Sequence, residues 1–258
     1  MSKIMANGIL LNYEIRGVGP RLLFLNGIGA DMKNPMNLFN SPLAQRFTIL
    51  AFDPRGLGES GGTDGEFSIG DLAEDAARLA EAVGWEMYHV FGASMGGMVA
   101  QELAITHPEA VDRLVLAVTH AGGENGAPML VDKMAELTPL EMLRAPDVRQ
   151  NETWAAEHPE VLERMKAQAA GMKALFTSQG YLAQAKAVYG HDTAKRLGGI
   201  TARTLAFNGR YDGGIPIAAA EEMAGKIRNC RFALVDHGHG SWFFDPAVWE
   251  MVVEFLEG

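Results

Sequence analysis

The segment Gly92-Ala93-Ser94-Met95-Gly96 is the clearest place in the sequence where residue types and spacing indicate chemistry. It follows a short apolar run and precedes a helical pattern, so Ser94 is expected at a sharp turn from a strand into a helix. The N-terminus of the following helix favours negative charge that develops near the serine hydroxyl. The pattern therefore predicts that Ser94 is a nucleophile, although a glycine-rich turn that only packs or holds a phosphate has the same composition.

A serine hydroxyl is a weak nucleophile near neutral pH and needs an adjacent base that a third group holds in one tautomer. Two loops that follow apolar runs supply candidates. Asp212 ends the segment NGRYD, and His239 ends the segment DHGH after the next run. We predict that His239 is the general base and that Asp212 orients it. Two alternatives stay open: Asp212 could be an ordinary turn residue before Gly213, and His237 could be the base.

The tetrahedral intermediate of acyl transfer needs two hydrogen-bond donors for its oxyanion. In this interpretation the backbone N–H of Met95 supplies one. The loop Asn26-Gly27-Ile28-Gly29 follows an apolar run, and the N–H of Ile28 is expected to supply the other. A plain glycine-rich loop would have the same composition.

Several residues are predicted to line a substrate pocket. Asn26 and Gly27 belong to the loop just described, and His120 lies at the end of a predicted strand, on the side where the site is expected. The others lie in a helical segment rich in methionine, which suits an adaptable apolar wall or a plain core. They are Met129, Met134, Met142, Trp154, Met165 and Met172.

The elements that must position these residues follow from the apolar pattern. Asn7-Gly8 between alternating residues indicates an antiparallel hairpin. After it, apolar runs alternate with helical patterns, which favours a parallel sheet with helices on both faces. The apolar runs are Leu22–Leu25, Thr48–Phe52, His89–Phe91, Leu114–Val118, Thr204–Phe207 and Phe232–Val235. Helices are expected at about 68–84, 95–107, 217–227 and 247–256.

Asp53 and Arg55 lie in the turn DPRGLGES. We assign them a structural role, as residues that fix neighbouring loops.

The strand signal disappears over residues 121–199, where the sequence becomes helical and rich in Ala, Glu, Lys and Met. We interpret this segment as an inserted helical cap. Residues 1–120 and 200–258 then form one α/β core, which is a reasonable size for a single domain.

The overall composition argues against several classes of function. The formal net charge is −10 and no Lys/Arg-rich run stands out, so no nucleic-acid partner is expected. Cys230 is the only cysteine, which excludes an intrachain disulfide and a cysteine-rich zinc site. The N-terminus lacks a secretory pattern, and no apolar stretch approaches the roughly 20 residues that span a bilayer. We therefore expect a cytoplasmic protein without a membrane partner; nothing indicates its oligomeric state.

Four segments together resemble the α/β-hydrolase superfamily over nearly the whole chain: FGASMGGMVAQELA, DPRGLGES, NGRYDGGIP and GHGSWFFDP. In that family the nucleophile, acid and base occur in the chain order of Ser94, Asp212 and His239. A proline also follows the family's histidine by about seven residues, as Pro246 follows His239. Within the superfamily, NGIGAD beside GASMGGMVAQELA is most similar to the 3-oxoadipate enol-lactonase group, which often carries asparagine at the position of Asn26.

The resemblance implies a mostly parallel eight-stranded sheet, helices on both of its faces and an inserted helical cap. It also implies hydrolysis through an acyl-enzyme, with no metal and no organic cofactor. The fold does not decide the substrate, and the expected one is a small, mostly apolar carboxylic ester or lactone. The cap has no clustered arginine that would bind a dicarboxylate, which weighs against 3-oxoadipate itself.

Two alternative functions use the same fold. One is hydrolysis of a C–C bond in a vinylogous diketo acid, a product of ring cleavage, by the same three residues. The other is ligand binding by a receptor-like protein that keeps these residues without turnover. Dehalogenase and epoxide-hydrolase chemistry is set aside, because the families that perform it carry aspartate at the position of Ser94.

Overall fold

A computed structural model describes residues 1–62, 65–123 and 131–258 of the 258-residue chain. Its strands are β1 (Ser2–Ala6), β2 (Ile9–Arg16), β3 (Arg21–Leu25), β4 (Thr48–Phe52), β5 (Tyr88–Ala93), β6 (Val111–Ala117), β7 (Arg203–Gly209) and β8 (Cys230–Val235). They form one eight-stranded sheet in the order β1-β2-β4-β3-β5-β6-β7-β8. The β1–β2 and β2–β4 pairs are antiparallel and the other neighbours are parallel. The predicted fold class is confirmed.

The end of β6 departs from the predicted run. The strand stops at Ala117, one residue before the predicted end, because Val118 has a φ of 47°. This φ lies in the left-handed region, which is rare for a residue branched at Cβ, and it takes the backbone out of the extended conformation. The Val118 N–H still donates to the Phe207 carbonyl oxygen at 2.9 Å, which ties the turn to β7.

Helices cover both faces of the sheet. Residues of α1, α2 and α7 pack in one core cluster with Leu23, Val90 and Leu116, whereas residues of α8 pack in a second cluster with Leu22 and Phe91. Adjacent residues of a strand thus point to opposite faces of the sheet, because side chains alternate along a strand. None of the described helices is long and apolar enough to span a membrane. The helices are α1 (Ile69–Ala82), α2 (Met95–Thr106), α3 (Pro139–Arg144), α4 (Glu152–Glu157), α5 (Pro159–Phe176), α6 (Gln179–Tyr189), α7 (Ile217–Lys226) and α8 (Pro246–Glu257).

The helices α3 to α6 lie between β6 and β7 in the chain, within the segment predicted to be a cap. The two ends of this segment are paired: Gly122 forms an isolated antiparallel bridge with Asp192. Beside it, the Thr193 N–H donates to the Ala121 carbonyl oxygen at 2.9 Å. The chain therefore leaves and re-enters the sheet region at one place, and the division at residues 121 and 199 stays a prediction.

The turn that follows β4 has the structural role predicted for it. The buried Asp53 carboxylate accepts hydrogen bonds from the backbone N–H groups of Met32 and Glu59, each at 2.8 Å. Arg55 donates two bonds of 2.6 Å to Asp75 on α1. Asp53 and Arg55 thus fix neighbouring loops and a helix at the edge of the sheet where the chain turns after β3 and β5.

Candidate active site

Ser94 lies between β5 and α2 with φ 55° and ψ −121°, a strained conformation for an L-residue. Two glycines make this turn possible. A Cβ at Gly96 would overlap the Leu25 carbonyl oxygen, and a Cβ at Gly92 would lie 2.7 Å from the Cβ of Ala100. The G-x-S-x-G spacing is therefore required by the close approach of strand, turn and helix, and it leaves the serine side chain at the edge of the sheet.

The structure brings together the three side chains predicted to be catalytic. His239 Nε2 lies 3.0 Å from Ser94 Oγ, and His239 Nδ1 lies 2.8 Å from Asp212 Oδ2. The buried Asp212 side chain also accepts from the backbone N–H groups of Gly214 and Ile215, at 2.8 and 2.9 Å. Because the carboxylate requires a proton on Nδ1, Nε2 is left free to accept the serine proton. This geometry suits general-base activation of Ser94.

His237 faces a different carboxylate. Its Nε2 lies 2.6 Å from Asp245 Oδ2, and the other oxygen of Asp245 caps α8 by accepting from the Ala247 N–H at 2.9 Å. Both bonds hold the pKa of Asp245 below its ordinary value, and the bond to His237 has the larger effect. Among the described residues, His237 therefore makes no hydrogen bond to Ser94, as a base in this role would.

The loop that carries His239 is held by several bonds. The His239 N–H donates to the Pro146 carbonyl oxygen at 2.6 Å, and the Trp242 indole N–H donates to the His239 carbonyl oxygen at 2.9 Å. The neighbouring Gly238 N–H donates to Ser241 Oγ at 2.9 Å. These bonds fix the backbone before and after the His239 side chain, which favours one orientation of the imidazole towards Ser94.

The two predicted oxyanion donors are unpaired. Within the described part of the chain, the backbone N–H groups of Ile28 and Met95 have no hydrogen-bond acceptor. Met95 begins α2 directly after Ser94. The loop of Ile28 passes close to the nucleophile, since a Cβ at Gly27 would lie 3.5 Å from Ser94 Cβ. Two free donors beside the serine suit a developing oxyanion.

Ser94 and His239 open into a cavity of about 600 Å³ with mostly apolar walls. Sequence analysis missed part of this wall. Trp242 follows the predicted base, His239, in the segment GHGSWFFDP, so the sequence indicated that it lies nearby; the other lining residues that were not predicted had no such signal. The predicted residues that line the cavity are Asn26, Gly27, Ile28, Met134, Met142, Met165 and Met172. Lining residues that were not predicted include Phe24, Met36, Val118, Phe176, Tyr181 and Trp242.

Two of the described residues that were predicted to line the pocket, Trp154 and His120, do not lie on this wall. Trp154 stacks on the His158 ring with a centroid distance of 4.2 Å. His120 is buried and lines a separate cavity of about 290 Å³, where its Nδ1 accepts from the Gly122 N–H at 2.9 Å. Burial lowers the pKa of His120 to about 4. Met129 lies outside the described residues.

The charges around the cavity are one-sided. Its described wall contains no Lys or Arg, and the segment 124–130 has none in its sequence. Glu141 on α3 is the acidic residue of that wall, and its carboxylate accepts from both Thr138 Oγ1 and the Thr138 N–H. These bonds hold the pKa of Glu141 below its ordinary value, so it is anionic near neutral pH. No group of three or more His, Cys, Asp or Glu side chains in the described ranges is arranged to hold a metal ion.

Comparison with known proteins agrees with this architecture. A family model described as alpha/beta hydrolase fold matches residues 20–246. The putative carbamate hydrolase RutD of Azorhizobium caulinodans is 31% identical over 255 residues, which cover 95% of this chain and 94% of that protein. A crystal structure of a hydrolase from Pseudomonas aeruginosa PA01 matches with a TM-score of 0.78 and 28% identity, over 100% of this chain and 98% of the other.

The enol-lactonase from Burkholderia xenovorans LB400 has the same fold, with a TM-score of 0.78 and 24% identity over 100% of both chains. The family model covers most of the chain, and the relative from Azorhizobium matches it nearly from end to end. The chain belongs to the α/β-hydrolase fold family and is a hydrolase.

Proposed function

We propose that this hydrolase cleaves small, mostly apolar carboxylic esters or lactones through an acyl-enzyme intermediate on Ser94. The observation that carries the proposal is the hydrogen-bonded series Ser94–His239–Asp212 at the wall of an apolar cavity of about 600 Å³. The series supplies a nucleophile, a base and an orienting acid, and the cavity has room for a small acyl group and its alcohol.

Acylation begins when Ser94 Oγ attacks the substrate carbonyl carbon and His239 Nε2 takes the hydroxyl proton. The carbonyl electron pair moves onto oxygen, which accepts from the N–H groups of Ile28 and Met95. Asp212 stabilises the imidazolium that has formed. The tetrahedral intermediate then collapses, the bond to the leaving oxygen breaks, and His239 returns the proton to that oxygen.

Deacylation repeats these steps with water. His239 removes a proton from water as its oxygen attacks the acyl carbon, and the bond to Ser94 Oγ breaks as the serine regains a proton. An ester gives a separate alcohol and acid, whereas a lactone gives one hydroxy acid because its leaving oxygen stays attached to the acyl group.

The charges of the cavity favour a neutral substrate. A substrate carboxylate would find no Lys or Arg among the described lining residues and would meet the anionic Glu141. A small anionic carbamate, which the name of the Azorhizobium relative suggests, would have the same difficulty. The diketo acids of C–C bond hydrolases also carry a carboxylate, so neutral esters and lactones fit this wall better.

The proposal is tested with wild type and Ser94→Ala on a neutral p-nitrophenyl ester, a lactone, a thioester, a carbamate and a vinylogous diketo acid. We expect multiple turnover of the ester or lactone by wild type and a loss of several orders of magnitude in Ser94→Ala. A fluorophosphonate probe should label wild type alone. Ester turnover that survives in Ser94→Ala would overturn the proposal, as would turnover of the diketo acid without the esters. Labelling without any turnover would point to a receptor instead.

A further inference from the structure

The loop that carries the Ile28 N–H is a tight turn over residues 27–30. The Ala30 N–H donates to the Gly27 carbonyl oxygen at 3.2 Å, and Gly29, at the third position, has a φ of 71°. This pattern is typical of a type II turn, which differs from a type I turn by inversion of its central peptide. In this turn the central peptide joins Ile28 to Gly29 and carries the Gly29 N–H. The orientation of that one peptide therefore decides which form the turn adopts.

A side chain from the predicted cap holds this central peptide. Gln184 on α6 accepts the Gly29 N–H at 2.9 Å through Oε1, across a sequence separation of 155 residues. Because the backbone N–H can only donate, the amide oxygen of Gln184 must face it. The Gln184 side chain is fully buried. With the amide in this orientation, an inverted central peptide would place the Ile28 carbonyl oxygen opposite Oε1, so that an acceptor would face an acceptor.

The same helix packs directly on the turn. A Cβ at Gly29 would lie 2.8 Å from Tyr181 Cδ2, so the ring of Tyr181 covers the turn closely. A Cβ at Gly180 would overlap the Gly56 carbonyl oxygen in the turn after β4. The first half of α6 is therefore seated against two loops of the sheet edge at once, and the bond from Gln184 lies within this contact.

Gln184 is not among the described residues that line the cavity of about 600 Å³, and it makes no hydrogen bond with Ser94 or His239. Within the described ranges, its Nε2 has no hydrogen-bond partner, so the oxygen carries the whole polar role of the side chain. Burying an amide nitrogen without a hydrogen-bond acceptor costs free energy, which the hydrogen bond of the amide oxygen must offset. Its action on the reaction must therefore pass through Gly29.

We propose that Gln184 is a positioning residue: by binding the Gly29 N–H it holds the turn over residues 27–30, and with it the neighbouring Ile28 N–H, in place for the substrate. One side chain therefore joins α6 to the loop that carries this donor. The inference rests on the proposed function of Ser94, but the hold of Gln184 on the turn can be measured without turnover.

The unpaired Nε2 suggests the test variants. Gln184→Glu keeps an acceptor oxygen at nearly the same place and replaces the unpartnered Nε2 with a second oxygen of an ionisable group. Gln184→Met keeps the length of the side chain and removes the acceptor. Gln179→Met changes an exposed residue of the same helix and is the matched control. Gln184→Ala is a second variant without the acceptor, in case the methionine does not fit, and thermal unfolding shows which variants are folded.

Kinetics of the neutral ester give the first readout. In Gln184→Met we expect kcat to fall by about 10- to 100-fold with little change in KM, since a misplaced donor weakens the transition state more than the bound substrate. Gln184→Glu and Gln179→Met should stay within a few fold of wild type. A rise in KM at unchanged kcat would assign Gln184 to the shape of the cavity and overturn the inference, as would wild-type kcat in both variants that lack the acceptor.

Hydrogen exchange of the amides at 27–30 gives the second readout. Exchange should be faster in Gln184→Met than in wild type, with protection retained in Gln184→Glu. Equal exchange in all folded variants would overturn the inference, even if Ser94-dependent turnover is found. If wild type shows no such turnover, the proposed function fails separately, and faster exchange in Gln184→Met would still establish that Gln184 holds the turn.

Discussion

His237 and His239 lie two residues apart on one loop and bind different acids: His239 binds Asp212, and His237 binds Asp245. Of these two pairs, His239–Asp212 is the one hydrogen-bonded to Ser94, through His239 Nε2. Because residues two apart in an irregular loop can face different neighbours, the spacing alone could not distinguish them. The two histidines therefore make a matched pair for mutation.

We expect His239→Ala to lower kcat for a neutral ester by about 10³-fold or more, since the variant loses the proposed general base. His237→Ala should keep kcat within a few fold, because its ring is hydrogen-bonded to Asp245 at the start of α8 and not to Ser94. Steady-state kinetics of both purified variants, after a thermal unfolding check, decide the point. The assignment of the base is wrong if His237→Ala shows the larger loss.

Replacement of Glu141 should change substrate preference rather than the chemical step. In Glu141→Gln we expect kcat/KM for an ester with an acyl carboxylate to rise by up to about fivefold, as interactions between exposed charges are weak. The same value for a neutral ester of equal length should not move. Added salt should shrink the difference, because it screens the repulsion in wild type. An equal gain for both esters would show that charge is not the cause.

The turn around Ser94 should tolerate no added methyl group. Gly96→Ala places a Cβ against the Leu25 carbonyl oxygen, and we expect a loss of about 2 kcal/mol or more in the free energy of unfolding. Gly225→Ala is the control, since its Cβ would meet no atom within 4 Å on the exposed side of α7. That change should raise the free energy of unfolding by up to about 1 kcal/mol. Urea unfolding of both variants measures the difference, and similar values would contradict the close packing.

Acid should destabilise the protein through its buried histidines. Burial lowers the pKa of His191 to about 4, from an ordinary 6.5. The unfolded chain therefore takes up a proton at a higher pH than the folded one, so this contribution is present above 6.5 and is lost as pH falls towards 4.

The variant His191→Gln removes this titration, so its unfolding free energy should fall less steeply between pH 6.5 and 4 than that of wild type. The slope should differ by at most about 1.4 kcal/mol per pH unit. Urea unfolding at several pH values measures both slopes. A loss of unfolding free energy that is the same at every pH does not change either slope. Parallel curves would show that His191 is not buried in its neutral form.

Most of the sheet and the triad geometry could be predicted because both follow from local pattern. Apolar runs identify strands, and Ser94, Asp212 and His239 each occupy a loop at a strand end, so the sheet itself brings them to one edge. His120 also follows a strand, but the positive φ of Val118 breaks the alternation of sides, and Val118 reaches the cavity instead. The side to which a residue points cannot be extended past such a turn.

Helical packing of the predicted cap was less accessible to sequence analysis. Met134, Met142 and Met165 line the cavity, whereas Trp154 stacks on His158 within and just beyond α4. Gln184 carried no local signal, because its acceptor role depends on a loop 155 residues away. Contacts of this kind depend on how the helices seat on the sheet, which the amphipathic pattern of short helices does not determine.

The bridge between Gly122 and Asp192 gives the helical segment a narrow neck. A segment that starts and ends at one place can be lengthened, shortened or exchanged without moving the strands apart. Proteins built in this way can acquire new substrate preferences by replacing that segment, while the reacting groups on the sheet are inherited unchanged.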